Sequence, residues 1–170
     1  MRRPPVWLLD VDGVLNVRRP LWGPSLCRGT AHSAGVDWPI RWAPLLITRI
    51  RHLALAGLVE VRWCTTWCPD ADALEHLFDL PPFGRALTAA DLDRVDDTDP
   101  LKLAAARGVL ADRRRLVWTD DTAVPDPGPE SAALTAGGRG LLIKPNPRRG
   151  LRPSDLARIE AFARQVRFAS

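Results

Sequence analysis

From its first apolar run to its last, this chain alternates short β-branched or aromatic segments with longer stretches of helical spacing. That rhythm marks an α/β domain on a mostly parallel sheet, because parallel neighbours need a crossover, usually a helix, between them. Val6 to Val11 is the first candidate strand, followed by Leu58 to Cys64, Arg115 to Thr119 and Gly140 to Lys144, with a short one near Arg85 to Thr88. Between them, Trp42, Leu45, Leu46, Ile50 and Leu53 fall on one helical face that Gly57 ends. Pro69 to Leu80 and Pro100 to Val109 also read as helices. Pro153-Ser154-Asp155 caps a last one, with Leu156, Ile159, Phe162, Ala163 and Val166 on its apolar stripe. Asn16 to about Pro39, rich in Pro, Gly, Trp and Arg, reads as a long loop or small flap. The expectation is a single domain over residues 1–170 with no repeat.

Composition narrows the class. With 46% hydrophobic and 26% charged residues, the chain has apolar surface enough for a core and is not of the disordered type. Its apolar runs, such as Leu53 to Val59, fall far short of a membrane span. Asp10 interrupts the first run before a signal-peptide core can form, so secretion is not expected. Cys27, Cys64 and Cys68, with three histidines in the chain, suit neither a disulfide framework nor a structural zinc site. A cytoplasmic protein is the expectation. The net charge of +4 permits nucleic-acid binding without showing it.

The chemistry gathers at strand ends. Asp10-Val11-Asp12-Gly13 follows an apolar strand directly, and residues two apart on an extended chain point to one side. Open α/β sheets bind ligands at that carboxyl edge. Gly13 lets the chain turn sharply and offers backbone N–H groups to an anion. Two neighbouring carboxylates repel unless a proton or a cation lies between them, and a hard divalent ion fits. Asp120-Asp121, at a second strand end, supplies further oxygen ligands. Phosphoryl transfer there also requires a hydrogen-bond donor and a positive charge, roles that Thr65 and Lys102 can fill.

Four ordered segments then resemble the motifs of the haloacid dehalogenase (HAD) superfamily. Leu8-Leu9-Asp10-Val11-Asp12-Gly13-Val14-Leu15-Asn16 resembles its first motif, Val61 to Thr65 its second, Lys102 its third-motif lysine and Leu116 to Asp121 its acidic fourth motif. The resemblance implies a three-layer α/β/α sandwich of Rossmann-like type and a Mg²⁺-dependent phosphatase. Asp10 would be the nucleophile that forms an aspartyl-phosphate, and Asp12 the acid and then the base. Asp10, the Asp12 carbonyl and Asp120 would hold Mg²⁺, with Asp121 coordinating through water or orienting the site. Thr65 would bind the phosphoryl group, with Thr66 its neighbour for that role, and Lys102 would steady the charge. Lys144, a rival, follows the fourth motif instead of preceding it.

Short spacing between motifs implies a capless or minimally capped member, whose substrate is a nucleotide, a nucleic-acid end or another bulky phosphomonoester. The build also resembles HAD domains attached to bacterial RNA-repair proteins. A non-catalytic module binding nucleic acid or a protein partner is the alternative. Trp22, Trp38 and Trp67 read either as a stacking wall or as core anchors. Arg113-Arg114-Arg115 and Arg148-Arg149 with Arg152 read either as backbone contacts or as a solvated face.

Overall fold

A computed structural model describes residues 3–165 of the chain. Val166 of the expected C-terminal stripe lies outside them. The elements run β1 (Val6–Leu9), β2 (Cys27–Ser33), β3 (Val36–Trp42), α1 (Pro44–Leu55), β4 (Glu60–Trp63), α2 (Ala71–Phe78), β5 (Gly84–Arg85) and α3 (Ala89–Leu92). Then follow α4 (Asp99–Ala111), β6 (Leu116–Thr119), α5 (Pro129–Thr135), β7 (Gly140–Ile143) and α6 (Pro153–Arg164). Five strands form one sheet in the order β5-β4-β1-β6-β7, every neighbouring pair parallel. The architecture is α/β, a parallel sheet flanked by helices, compatible with a Rossmann-like fold. Among the described residues no helix is long and apolar enough to cross a membrane.

The apolar runs explain the central strands. Every residue of β1 and β6 is buried, as strands covered on both faces require. Side chains alternate between two cores. Trp7 and Leu9 pack with Leu46 and Ile50 of α1, Leu74 of α2 and Ile159 of α6, whereas Val6 and Leu8 pack with Ala106 and Val109 of α4 and Leu134 of α5. Polar edges within these cores are paired. The Trp7 indole N–H donates to Thr119 Oγ1 at 2.9 Å, and that of Trp63 donates to Glu75 Oε1 at 2.8 Å. Glu75 also accepts from Phe83 N–H and from Arg85, contacts that outweigh its burial and hold its carboxyl below the usual range.

Several expectations are corrected. Of the two readings for Asn16 to about Pro39, the irregular loop gives way: the stretch carries β2 and most of β3, an antiparallel hairpin separate from the main sheet. Trp42 belongs to β3 and meets Phe78 edge-on at 5.2 Å, so it is not part of the helical face. On α1 the buried stripe is Leu46, Ile47, Ile50 and Leu53, while Leu45 faces solvent. The helix expected over Pro69 to Leu80 begins with a 3₁₀ turn at Cys68–Asp70 and ends at Asp79, in the left-handed region at φ 52°. Arg152 is the N-cap of α6, and the Asp155 carboxylate reaches back to accept its N–H at 2.9 Å.

The hairpin is fixed at both ends. Ala34 and Gly35 join its strands with φ of 51° and 76°, the positive values that two-residue primed turns require. Asp70 Oδ2 accepts from Ser33 Oγ (2.8 Å) and Ala34 N–H (3.1 Å), which ties the turn to the segment after β4. An alanine in that conformation carries steric strain that asparagine tolerates better. Ala34→Asn is therefore expected to stabilise the fold by about 0.5–1 kcal/mol, read as a higher urea midpoint at unchanged slope. An unchanged or lower midpoint would contradict the strain.

Candidate functional site

Parallel register brings distant residues to one edge. Leu9 pairs with Trp63 on one side and Thr119 on the other, so the residues that follow them leave the sheet side by side. Asp10 N–H still donates to Thr119 O (3.1 Å) and Cys64 N–H to Leu9 O (2.9 Å). The strand order also reverses here: β1, β4 and β5 build outward in one direction, and β6 then returns to the other flank of β1. Such a reversal opens a crevice at the carboxyl edge. Lys102 comes from the first turn of α4, whose N-terminal end lies at that edge because a crossover helix runs back along its strands.

Lys102 Nζ donates to Asp10 Oδ2 at 3.0 Å and to Asp120 Oδ2 at 2.7 Å, and all three side chains are buried. Asp120 Oδ1 accepts from Thr122 N–H (2.9 Å), Ala123 N–H (2.7 Å) and the Thr122 hydroxyl (3.2 Å). Asp121 is half-buried beside them, and carboxylate oxygens of Asp10, Asp120 and Asp121 lie within 4.8 Å of one another. Burial first, and the Asp120 charge second, raise the Asp10 carboxyl from 3.8 to about 7 in spite of Lys102. The same two causes raise Asp121. Burial works against the Lys102 charge, but Asp10 and Asp120 outweigh it and hold the ammonium above the ordinary lysine range.

Three acids with one ammonium among them leave a surplus of negative charge that a cation can offset. The donors are all oxygen, which suits a hard divalent ion. Gly13 explains how Asp121 comes so close. Its φ is +71°, and a Cβ there would stand 2.3 Å from the Asp121 carboxylate. Its N–H already donates to Asn16 O at 3.2 Å, so the turn expected there forms, but that amide is engaged within it.

Asp12 stands apart from this group. The strand ends at Leu9 and the chain coils, with Leu15 and Asn16 N–H both donating to Val11 O, so the two-residue alternation does not carry Asp12 to the side of Asp10. Its exposed carboxylate accepts from Asn16 Nδ2 (2.7 Å) and from the Trp67 indole N–H (2.9 Å). Asn16 Oδ1 in turn accepts Arg41 N–H at 2.9 Å, linking Asp12 to the hairpin. Thr122 did not stand out in the sequence, although it lies next to Asp121, and Asn16, at the end of the first motif, had no role of its own there.

Thr65 is buried at the end of β4, its hydroxyl 3.4 Å from Trp67 N–H, while Thr66 is exposed and lines a cleft with Asp12. Lys144 pairs with Asp126 at 2.9 Å and is not in the cluster. All three cysteines are free, and burial pushes the Cys64 thiol up, away from reactivity. The run Arg113-Arg114-Arg115 is largely structural: Arg114 binds Glu60 and Pro4 O, and Arg115 caps α6 and stacks on Phe162. Trp22 donates to Leu151 O, whereas Trp38 and Trp67 share the cleft beside Asp12.

Removing the ammonium leaves buried carboxylates uncompensated, so Lys102→Met is expected to cost about 3 kcal/mol near neutral pH. Chemical denaturation should recover most of that loss in acid; a loss independent of pH would point to packing instead. For the native chain, the Asp10 carboxyl stands at about 7 against an ordinary 3.8, so its contribution to stability is present below the lower value and lost as pH rises through the higher. The Lys102 contribution is constant over that window. Mg²⁺ used as a probe should accordingly raise the melting temperature more at about pH 8 than at about pH 5.5. Gly13→Ala, which displaces Asp121, should reduce that shift. An equal shift at both pH values would remove the cluster as its origin.

In comparisons with protein-family models, curated proteins and solved structures, the chain matches none.

Proposed function

We propose that the chain is a Mg²⁺-dependent phosphohydrolase of the HAD type, a three-layer α/β/α sandwich acting on a phosphomonoester through an aspartyl-phosphate at Asp10. The observation that carries this reading is the buried Lys102 ammonium shared by Asp10 and Asp120, at the crevice where the strand order reverses. A structural ion pair gains nothing from a third acid nearby; a phosphoryl-transfer site does. Asp10, Asp120 and Asp121, with the Asp12 carbonyl, would hold Mg²⁺, which when bound neutralises charge between the carboxylates and the phosphoryl oxygens.

The chain's own residues divide the remaining work. Lys102 favours the ionised form of Asp10, whose carboxylate oxygen attacks phosphorus as the bond to the leaving oxygen breaks. Asp12 gives that oxygen its proton, its carboxyl aimed by Asn16 and the Trp67 indole. Asp12 then takes a proton from water, whose oxygen attacks the phosphorus and frees Asp10 and inorganic phosphate. Thr65, buried just past the end of β4, and Thr66, on the cleft wall, are assigned to the phosphoryl oxygens, and Gly13 to the turn that admits Asp121.

Release of phosphate from an aryl phosphate tests the reading. Asp10→Asn is expected to lower kcat by roughly 10³-fold or more while preserving the far-UV spectrum, since an amide is a poor nucleophile. EDTA should abolish turnover and Mg²⁺ restore it. Full activity in the Asn variant would exclude Asp10 as nucleophile, and activity indifferent to EDTA would exclude the metal. Oligonucleotide binding with no phosphate released from any substrate would favour the non-catalytic module.

A further inference from the structure

Beside the mouth marked by Asp12 lies an open cleft of about 650 Å³, whose lining includes Asn16, Arg18, Pro39, Arg41 and Arg148. Backbone bonds join its walls: Val17 N–H donates to Arg41 O (3.1 Å) and Arg19 N–H to Arg148 O (3.0 Å). Several arginines elsewhere are neutralised, as Arg114 is by Glu60, Arg85 by Glu75, Arg107 by Glu130 and Arg152 by Asp155. Among the described residues no carboxylate pairs with Arg18, Arg41 or Arg148. Arg41 also stands directly opposite Arg28 across the hairpin, both exposed. Like charges so placed repel each other, and an anion between them would relieve the repulsion.

A second cleft of about 390 Å³ shares Asn16 and Pro39 with the first, and its lining includes Asp12, Thr66, Trp38 and Trp67. Trp38 is 48% exposed and lines this cleft, whereas Trp67 is buried. The two clefts thus adjoin at Asn16 and Pro39, so that a path across them leads from Asp12 and Trp38 to three guanidinium groups with no carboxylate partner among the described residues.

We propose that this path binds the phosphorylated end of a single-stranded nucleic acid. The adjoining phosphodiester lies among Arg18, Arg41 and Arg148, and the intervening base stacks on Trp38. This assignment of substrate class rests on the phosphohydrolase reading above. One monoester has no use for three further cations beyond Lys102, and an open cleft leaves the rest of a small substrate in water. A polymer supplies a second phosphate at a fixed distance, and an unpaired strand supplies a free base face. Asn16 joins the two functions, because its side chain holds Asp12 with one end and the backbone of Arg41 with the other.

The test compares kcat/KM for 5′- and 3′-phosphorylated oligonucleotides with that for p-nitrophenyl phosphate, in the native protein and in Arg41→Gln/Arg148→Gln. The expected result is that the ratio of oligonucleotide to aryl phosphate falls about tenfold in the double variant, with the favoured end identifying strand polarity. In parallel, a labelled oligonucleotide is titrated by fluorescence anisotropy into Asp10→Asn protein. Two to three phosphate contacts predict that a fourfold rise in salt weakens binding about tenfold. Aryl phosphate turnover with an unchanged ratio, or binding insensitive to salt, would overturn the subsite and leave the phosphohydrolase reading standing. Salt-sensitive binding lost in the double variant, with no phosphate released from any substrate, would overturn the phosphohydrolase reading and the substrate assignment with it.

Discussion

One ammonium group between two buried carboxylates determines how this chain can be assembled. Lys102 reaches Asp10 and Asp120 from α4, whose Ala106 and Val109 share a core with Val6 and Leu8, whereas α1, α2 and α6 share the other with Trp7 and Leu9. Without that charge, two acids forced together by parallel register would have to take up protons or separate the strands that carry them. With it, they stay adjacent, but the balance is incomplete, and Asp121 adds to the deficit. A buried site left with surplus negative charge is poised to take a cation, and a phosphate can follow the cation.

Around that centre, stiffness comes from backbone geometry and a few polar struts. Gly13 permits a turn whose missing Cβ makes room for Asp121. Asn16 spans from Asp12 to the backbone of β3, and Asp70 holds the far end of the same hairpin. The hairpin is therefore a fixed wall of the crevice, with its polar, arginine-bearing face outward and Ala31 and Ile40 inward.

Much of the fold was legible because burial on both faces leaves a plain trace. β1, β6 and β7 follow from unbroken apolar runs, and α4 from its spacing and Pro100. The hairpin was not legible. Its strands alternate correctly, but the inward positions are occupied by small residues such as Gly29 and Ala31, Pro39 interrupts β3, and the turn is Ala-Gly instead of Asn-Gly. Helix α5 escaped notice because its seven residues lie between glycines and bury chiefly Leu134. Leu45 and Ile47 exchanged roles for a different reason: the helix starts at Pro44, and its packing on α6 and the sheet, not the chain's apolar count, chose the face.

Local pattern was enough for the parallel sheet and for the residues that leave its strands, because strand periodicity and hydrophobic runs are carried by neighbouring residues. Tertiary structure alone decided that Lys102 lies between Asp10 and Asp120, that Asp12 turns away to Asn16 and Trp67, and that Arg18, Arg41 and Arg148 share one cleft. Those arrangements depend on strand order, on where a coil leaves its strand, and on loops far apart in the chain meeting across the sheet edge, and no stretch of residues read alone carries that information.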